Sequence, residues 1–111
     1  MSDPMPNDAE LFDHVADILE RDGWCQHEAH YEGSHCALGA LEVAAKETYG
    51  TGCYLGHYPR VYKKVTEFIV GNGNVWSDVP EWNDASNRTA QEVVDKYREL
   101  AKEETKRADG N

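Results

Sequence analysis

The sequence predicts a mainly α domain: about four helices packed around one core, with a short β-hairpin or extended segment between the first two. Three observations lead there. Apolar residues recur at spacings of three and four in four separate stretches. Capping residues open those stretches and glycines close several of them. The chain has 111 residues, one domain's worth, so residues 1–111 read as a single unit with loose tails at 1–6 and 108–111.

The first helix is expected in "NDAELFDHVADILERDG". Asn7 is placed to cap it and Glu10 to complete a capping box. Leu11, Phe12, Val15, Ile18 and Leu19 form its apolar stripe, and Gly23 suits a left-handed stop. "WCQHEAHYEGSH" is aromatic-rich and polar, and a Gly-Ser turn points to a hairpin. "CALGALEVAAKETYG" reads as the second helix, with Ser34 as cap, Gly50 as stop, and Leu38, Leu41, Ala44 and Ala45 inward. Gly39 within it costs about 1 kcal/mol relative to alanine, which implies close approach of another element. After the loop "TGCYLGHYP", a third helix carries Pro59 in its first turn and a stripe of Val61, Tyr62, Val65, Phe68 and Ile69. "VWSDVPEWNDASN" reads as an irregular connection. The last helix opens on the capping box of Thr89 and Glu92 and buries Val93, Val94, Tyr97, Leu100 and Ala101. Glu92 with Lys96 and Glu103 with Arg107 are its expected exposed pairs.

The net charge of -10 is unevenly spread. Residues 1–35 hold nine acids against one base, Arg21. Direct nucleic-acid binding is not expected, because affinity there rests on basic contacts to phosphate. No apolar run approaches the roughly 20 residues of a membrane span. The N-terminus lacks a signal peptide's basic and apolar regions, and the three cysteines read as reduced thiols in a cytosol.

Two segments offer chemistry. "GWCQHEAHYEGSHC" holds two cysteines and three histidines in residues 23–36. Thiolate and imidazole suit zinc, but C-x-x-C and H-x3-H spacings are missing. A metal reading would use Cys25, His27 and one of His35 or Cys36, with Cys53 or His57 completing the shell. Cys36, near the start of the second helix, could instead be a nucleophile. The plainer reading is a polar hairpin with packed thiols. "GTGCYLG" and "GNGN" follow helices, so neither fits a phosphate-binding loop. In "EWNDASNRT", turn and cap formers precede a strong helix. Trp24, Trp76 and Trp82 with Asn83, Asp84 and Arg88 could form one surface patch, since Trp and Arg anchor binding hot spots.

Trp24, "CALGAL" (Cys36 to Leu41), "WND" (Trp82 to Asp84), "RT" (Arg88, Thr89) and "EVV" (Glu92 to Val94) resemble a family of small proteins of unknown function from actinobacteria and their bacteriophages. The resemblance covers roughly residues 9–101, and residues 46–74 match poorly. It implies a bacterial cytosolic setting and a phage or host gene, and it transfers no catalytic or cofactor residue. That family tends to carry glycine where His27 stands, so the Cys/His enrichment is particular to this chain.

The expected function is a non-enzymatic, cofactor-free protein–protein interaction module. Its acidic face, Asp13, Asp17, Glu20 and Asp22, with Trp24, Trp82, Asn83, Asp84 and Arg88, would engage a basic protein in the cytoplasm. The alternatives are a metal-binding protein using the Cys/His segment and a small Cys-dependent enzyme.

Overall fold

The structure, a computed structural model, describes residues 8–50, 57–70 and 78–109. Asn7, Cys53 and Trp76 lie outside the described residues. The elements run α1 (Asp8–Asp22), β1 (His30–Tyr31), β2 (Ser34–His35), α2 (Ala37–Tyr49), α3 (His57–Val70), α4 (Asp78–Asn83) and α5 (Ala90–Asp109).

The stripe expected on α1 is the buried one: Leu11, Phe12, Val15, Ile18 and Leu19 all enter the core, joined by Ala16. Gly23 then adopts φ 96° and returns its N–H to the Leu19 carbonyl at 2.9 Å. This is the left-handed stop that glycine makes cheaply. The chain next forms the antiparallel hairpin, pairing His30 with His35 and Tyr31 with Ser34. The turn residues are Glu32 and Gly33, at φ 50° and 88°, rather than Gly33 and Ser34. Two positive φ values in a row match the twist of the flanking strands. Ser34 belongs to β2 and donates its hydroxyl to the Tyr31 carbonyl at 2.6 Å, so it does not cap α2. The cap is Cys36, whose sulfur accepts from the Gly39 N–H at 3.3 Å.

In α2, Leu41, Ala44 and Ala45 are buried as expected, and Leu38 is only half-buried. Gly50 ends the helix at φ 89°, its N–H bonded to the Lys46 carbonyl. Pro59 stands in the first turn of α3, which already begins at His57. Val61, Tyr62 and Val65 are buried, and Phe68 and Ile69 pack against the core's edge. The connection expected to be irregular contains the short helix α4, so the described chain has five helices rather than four. In α5 the capping box is present: the Thr89 N–H donates to Glu92 at 3.0 Å and the Glu92 N–H to the Thr89 hydroxyl at 3.2 Å. Glu92 pairs with Arg88 at 3.1 Å, while the Lys96 ammonium lies 5.6 Å from the Phe68 ring. The Arg107 side chain lies outside the described set.

Helix α1 packs most extensively on α5 and next on α2. Val93, Val94, Tyr97, Leu100 and Ala101 of α5 meet the α1 stripe, and the Tyr97 hydroxyl donates to the Ala37 carbonyl at 2.7 Å. Two further features, one ionic and one steric, fix how the elements meet. Asp8, buried at the start of α1, pairs with Arg60 and Lys64 of α3, and Lys64 also reaches Glu104 of α5 at 2.7 Å. Gly39 admits the hairpin segment: a Cβ there would lie 2.1 Å from the Ala29 carbonyl oxygen.

Gly39→Ala is therefore expected to destabilise the protein by about 2 kcal/mol or more, read from the urea midpoint, because backbone must move to admit one methyl. An unchanged midpoint would show that the approach is not tight. Asp8 supplies a pH dependence. Burial opposes its ionisation, but hydrogen bonds and charges from Arg60 and Lys64 outweigh burial and hold its pKa below the ordinary value. Its contribution is thus full above the unfolded value of about 3.9 and is lost as pH falls through the folded value. The stability difference between about pH 6 and about pH 3 should be smaller in Asp8→Asn than in the wild type, and equal differences would contradict this assignment.

Candidate functional site

One buried amide organises the segment that the sequence singles out. Trp24 and His35 form a single parallel bridge: the His35 N–H donates to the Gly23 carbonyl and the Cys25 N–H to the His35 carbonyl, each at 3.0 Å. A continued parallel ladder would next bond the Ala37 N–H to the Cys25 carbonyl. The side chain of Asn83, fully buried at the end of α4, occupies that place instead. Its Oδ1 accepts from the Ala37 N–H at 2.9 Å, and its Nδ2 donates to the Cys25 carbonyl at 3.1 Å. The same Oδ1 accepts the Trp24 indole N–H at 2.6 Å.

The neighbours of Asn83 extend the junction. Asp84 accepts from the His27 N–H at 2.8 Å, which holds His27 in a left-handed conformation at φ 71°. The Gln26 amide donates to the carbonyls of Asn83 and Ala85 at 3.1 and 2.9 Å. Arg88 donates to the Trp82 carbonyl at 2.9 Å and stacks 4.1 Å over the Trp82 ring. The structure thus unites Trp24, Asn83 and Asp84 in one network and Trp82 with Arg88 beside it. Asn83 is nevertheless interior. It holds the hairpin to α4 and cannot touch a partner, which corrects its expected place in a surface patch.

The four residues of the metal reading have separate bonds. Cys25 donates its thiol to the Glu28 carbonyl at 3.3 Å, Cys36 caps α2, and His27 faces Asp84 at 3.7 Å. His35 contacts Asp22 at 2.9 Å and His30 at 2.8 Å. Among the described residues no group of three or more His, Cys, Asp or Glu side chains is arranged to hold a metal ion.

Sequence reasoning did not find the chain of contacts through His35. Its Nε2 meets Asp22, its Nδ1 meets Nδ1 of His30, and Nε2 of His30 meets Glu42 at 3.2 Å. The three contacts join two imidazoles and two carboxylates in one continuous chain from α1 through the hairpin to α2. Arg21, and then His35, hold the Asp22 carboxyl well below the usual carboxylate range.

The acidic face divides into two parts. Asp13, Asp17 and Glu20 line an exposed ridge of α1, and all three bind Arg98 of α5, at 3.2, 2.8 and 2.9 Å. Asp22 belongs instead with Arg21 and His35. No local pattern foretells Arg98, which lies 81 residues beyond Asp17.

The Cys36 thiol faces a cavity of about 180 Å3 lined by His27, Glu28, Ala29, Leu38, Pro80 and Asp84. Burial pushes that thiol's pKa up, against the pull of the Gly39 and Leu38 N–H groups, so it is a poor nucleophile at neutral pH.

Replacing Asn83 by alanine leaves the Ala37 N–H, the Cys25 carbonyl and the Trp24 indole without their partner. The expected loss is about 3 kcal/mol in urea unfolding, since each orphaned buried group costs about 1–3 kcal/mol. A loss below about 1 kcal/mol would mean that the junction re-forms around water.

No curated protein and no solved structure matches the chain. A family model described as "Family of unknown function (DUF6197)" matches residues 3–103. The protein therefore belongs to that family.

Proposed function

We propose that this protein is a non-enzymatic interaction module in the bacterial cytoplasm that binds a basic surface of another protein through the exposed ridge of α1. One observation supports the reading above others: Asp13, Asp17 and Glu20, side by side and each more than half exposed, share the single cation Arg98. Three carboxylates against one guanidinium leave a surplus of two negative charges on that ridge. The surplus sits in the third of the chain that carries nine acids and one base. Such a field accelerates encounter with a basic partner and disfavours acidic ones. An arginine or lysine of the partner would share the carboxylates with Arg98 or take its place. In a phage of actinobacteria, the module would be an accessory protein acting on a host protein.

The ridge can be neutralised without dismantling the fold, because exposed ion pairs contribute about 0–1 kcal/mol each. The experiment compares the wild type with Asp13→Asn/Asp17→Asn/Glu20→Gln as bait in actinobacterial lysate, leaving Asp22 to hold His35. The expected result is a protein retained by the wild type and lost from the variant. That protein, once purified, should bind the wild type at least about tenfold more tightly than the variant, with affinity falling as salt rises. Equal retention by both baits, or an affinity indifferent to salt, would overturn the reading.

A further inference from the structure

We infer that Cys25 and Cys36 form a redox-active dithiol, a site of reversible disulfide formation that closes the hairpin segment onto the start of α2. The argument is one of register. The parallel bridge pairs Trp24 with His35, so the next pair along the two segments is Cys25 with Cys36. Paired residues on parallel segments point to the same face. The pair before the bridge, Gly23 and Ser34, shows how close that face is: a Cβ built on Gly23 would lie 3.4 Å from the Ser34 Cβ. Cys25 and Cys36 stand two residues further on, where side chains return to the same side. Adjacent strands lie about 4.8 Å apart, within the Cα separations that disulfides span, about 4.4–6.8 Å. The Asn83 amide bridges the Cys25 carbonyl and the Ala37 N–H immediately beyond the pair, which keeps the two segments side by side there.

The Cys25 sulfur donates to the Glu28 carbonyl at 3.3 Å, and the Cys36 sulfur accepts from the Gly39 N–H at 3.3 Å and meets the Leu38 N–H. Cys25 is half-buried, and Cys36 borders the cavity between the hairpin segment and α4. The natural oxidant class is a peroxide. Cys25, the more exposed, attacks the peroxide as thiolate; an S–O bond forms, the O–O bond breaks, and one water leaves. The Cys36 thiolate then attacks the sulfenic sulfur. An S–S bond forms, the S–O bond breaks, and the departing hydroxide combines with the Cys36 proton as a second water. Two thiols and one hydrogen peroxide thus give one disulfide and two waters. Burial raises the pKa of both thiols, so the reaction should quicken as pH rises.

The test uses the full-length chain with Cys53→Ser, so that only the two thiols of the proposal remain. The protein is treated with hydrogen peroxide at pH 7 and pH 8.5, quenched with iodoacetamide and mapped without reduction. The expected product is monomeric, lighter by two hydrogens, and contains a linked Cys25–Cys36 peptide that dithiothreitol separates. It should form faster at the higher pH and melt at a higher temperature than the reduced protein. Cys25→Ser and Cys36→Ser should each yield oxygen adducts and no linked peptide. The inference is overturned if both thiols of the folded protein remain alkylatable after peroxide, if they carry separate oxygen adducts, or if the only disulfides join two chains.

Discussion

The side chain of Asn83 is the constraint on which the rest of this structure leans. It stands where a peptide group would continue the ladder between the segments at Cys25 and Ala37, and it meets both with matching polarity. A buried amide in this position cannot be traded for an apolar group of similar size, because three backbone and indole groups would lose their partner together. The demand propagates. Trp24 must present its indole N–H to Oδ1, the hairpin must enter at Gly23, and α4 must end at Asn83. Asp84 and Gln26 then fasten the remaining backbone around the junction. The stretches "CALGAL" and "WND" are the two sides of one hydrogen-bonded joint, through Ala37 and Asn83.

The second requirement is closeness. Cys36 caps α2 with its sulfur, its own N–H donates to the Ala29 carbonyl at 2.9 Å, and Gly39 leaves room for that same carbonyl. A larger residue at 39 would push the hairpin away from the joint that Asn83 ties. Cap, glycine and amide therefore act on one small volume, and a change in any of them is felt by the other two. The two thiols lie in that volume, Cys36 buried and Cys25 half-buried.

The helices were legible because each announces itself locally. The α1 and α5 stripes, the Thr89–Glu92 box and the stops at Gly23 and Gly50 are all read within a few residues, and all are present in the structure. Gly39 was legible as a close approach, although not as an approach to Ala29. What escaped depends on distance along the chain. Asn83 looks like a turn former because its neighbours in sequence are turn formers, and its partners lie 46 and 58 residues away. Arg98 gathers three α1 carboxylates that sequence reading leaves solvated. Ser34 looks like a cap because hydroxyls usually cap, but the hairpin register claims it for β2, two residues before the cap at Cys36. The short helix α4 was hidden by Pro80 and by turn residues on both sides.

Charge links the fold to the proposed binding role. Helix α1 places acids in three environments with different consequences. Asp8 is buried and compensated by Arg60 and Lys64, so it holds helices together. Asp22 is compensated by Arg21 and His35 and supports the hairpin. The ridge of Asp13, Asp17 and Glu20 is exposed, and its three carboxylates share one guanidinium. Structural ion pairs need matched charge, because an unmatched buried charge is costly. An exposed surplus carries no such penalty and gives the fold little in return. In α1 the acids that support packing are matched by cations, and the excess lies along the exposed ridge on which the proposed binding role rests.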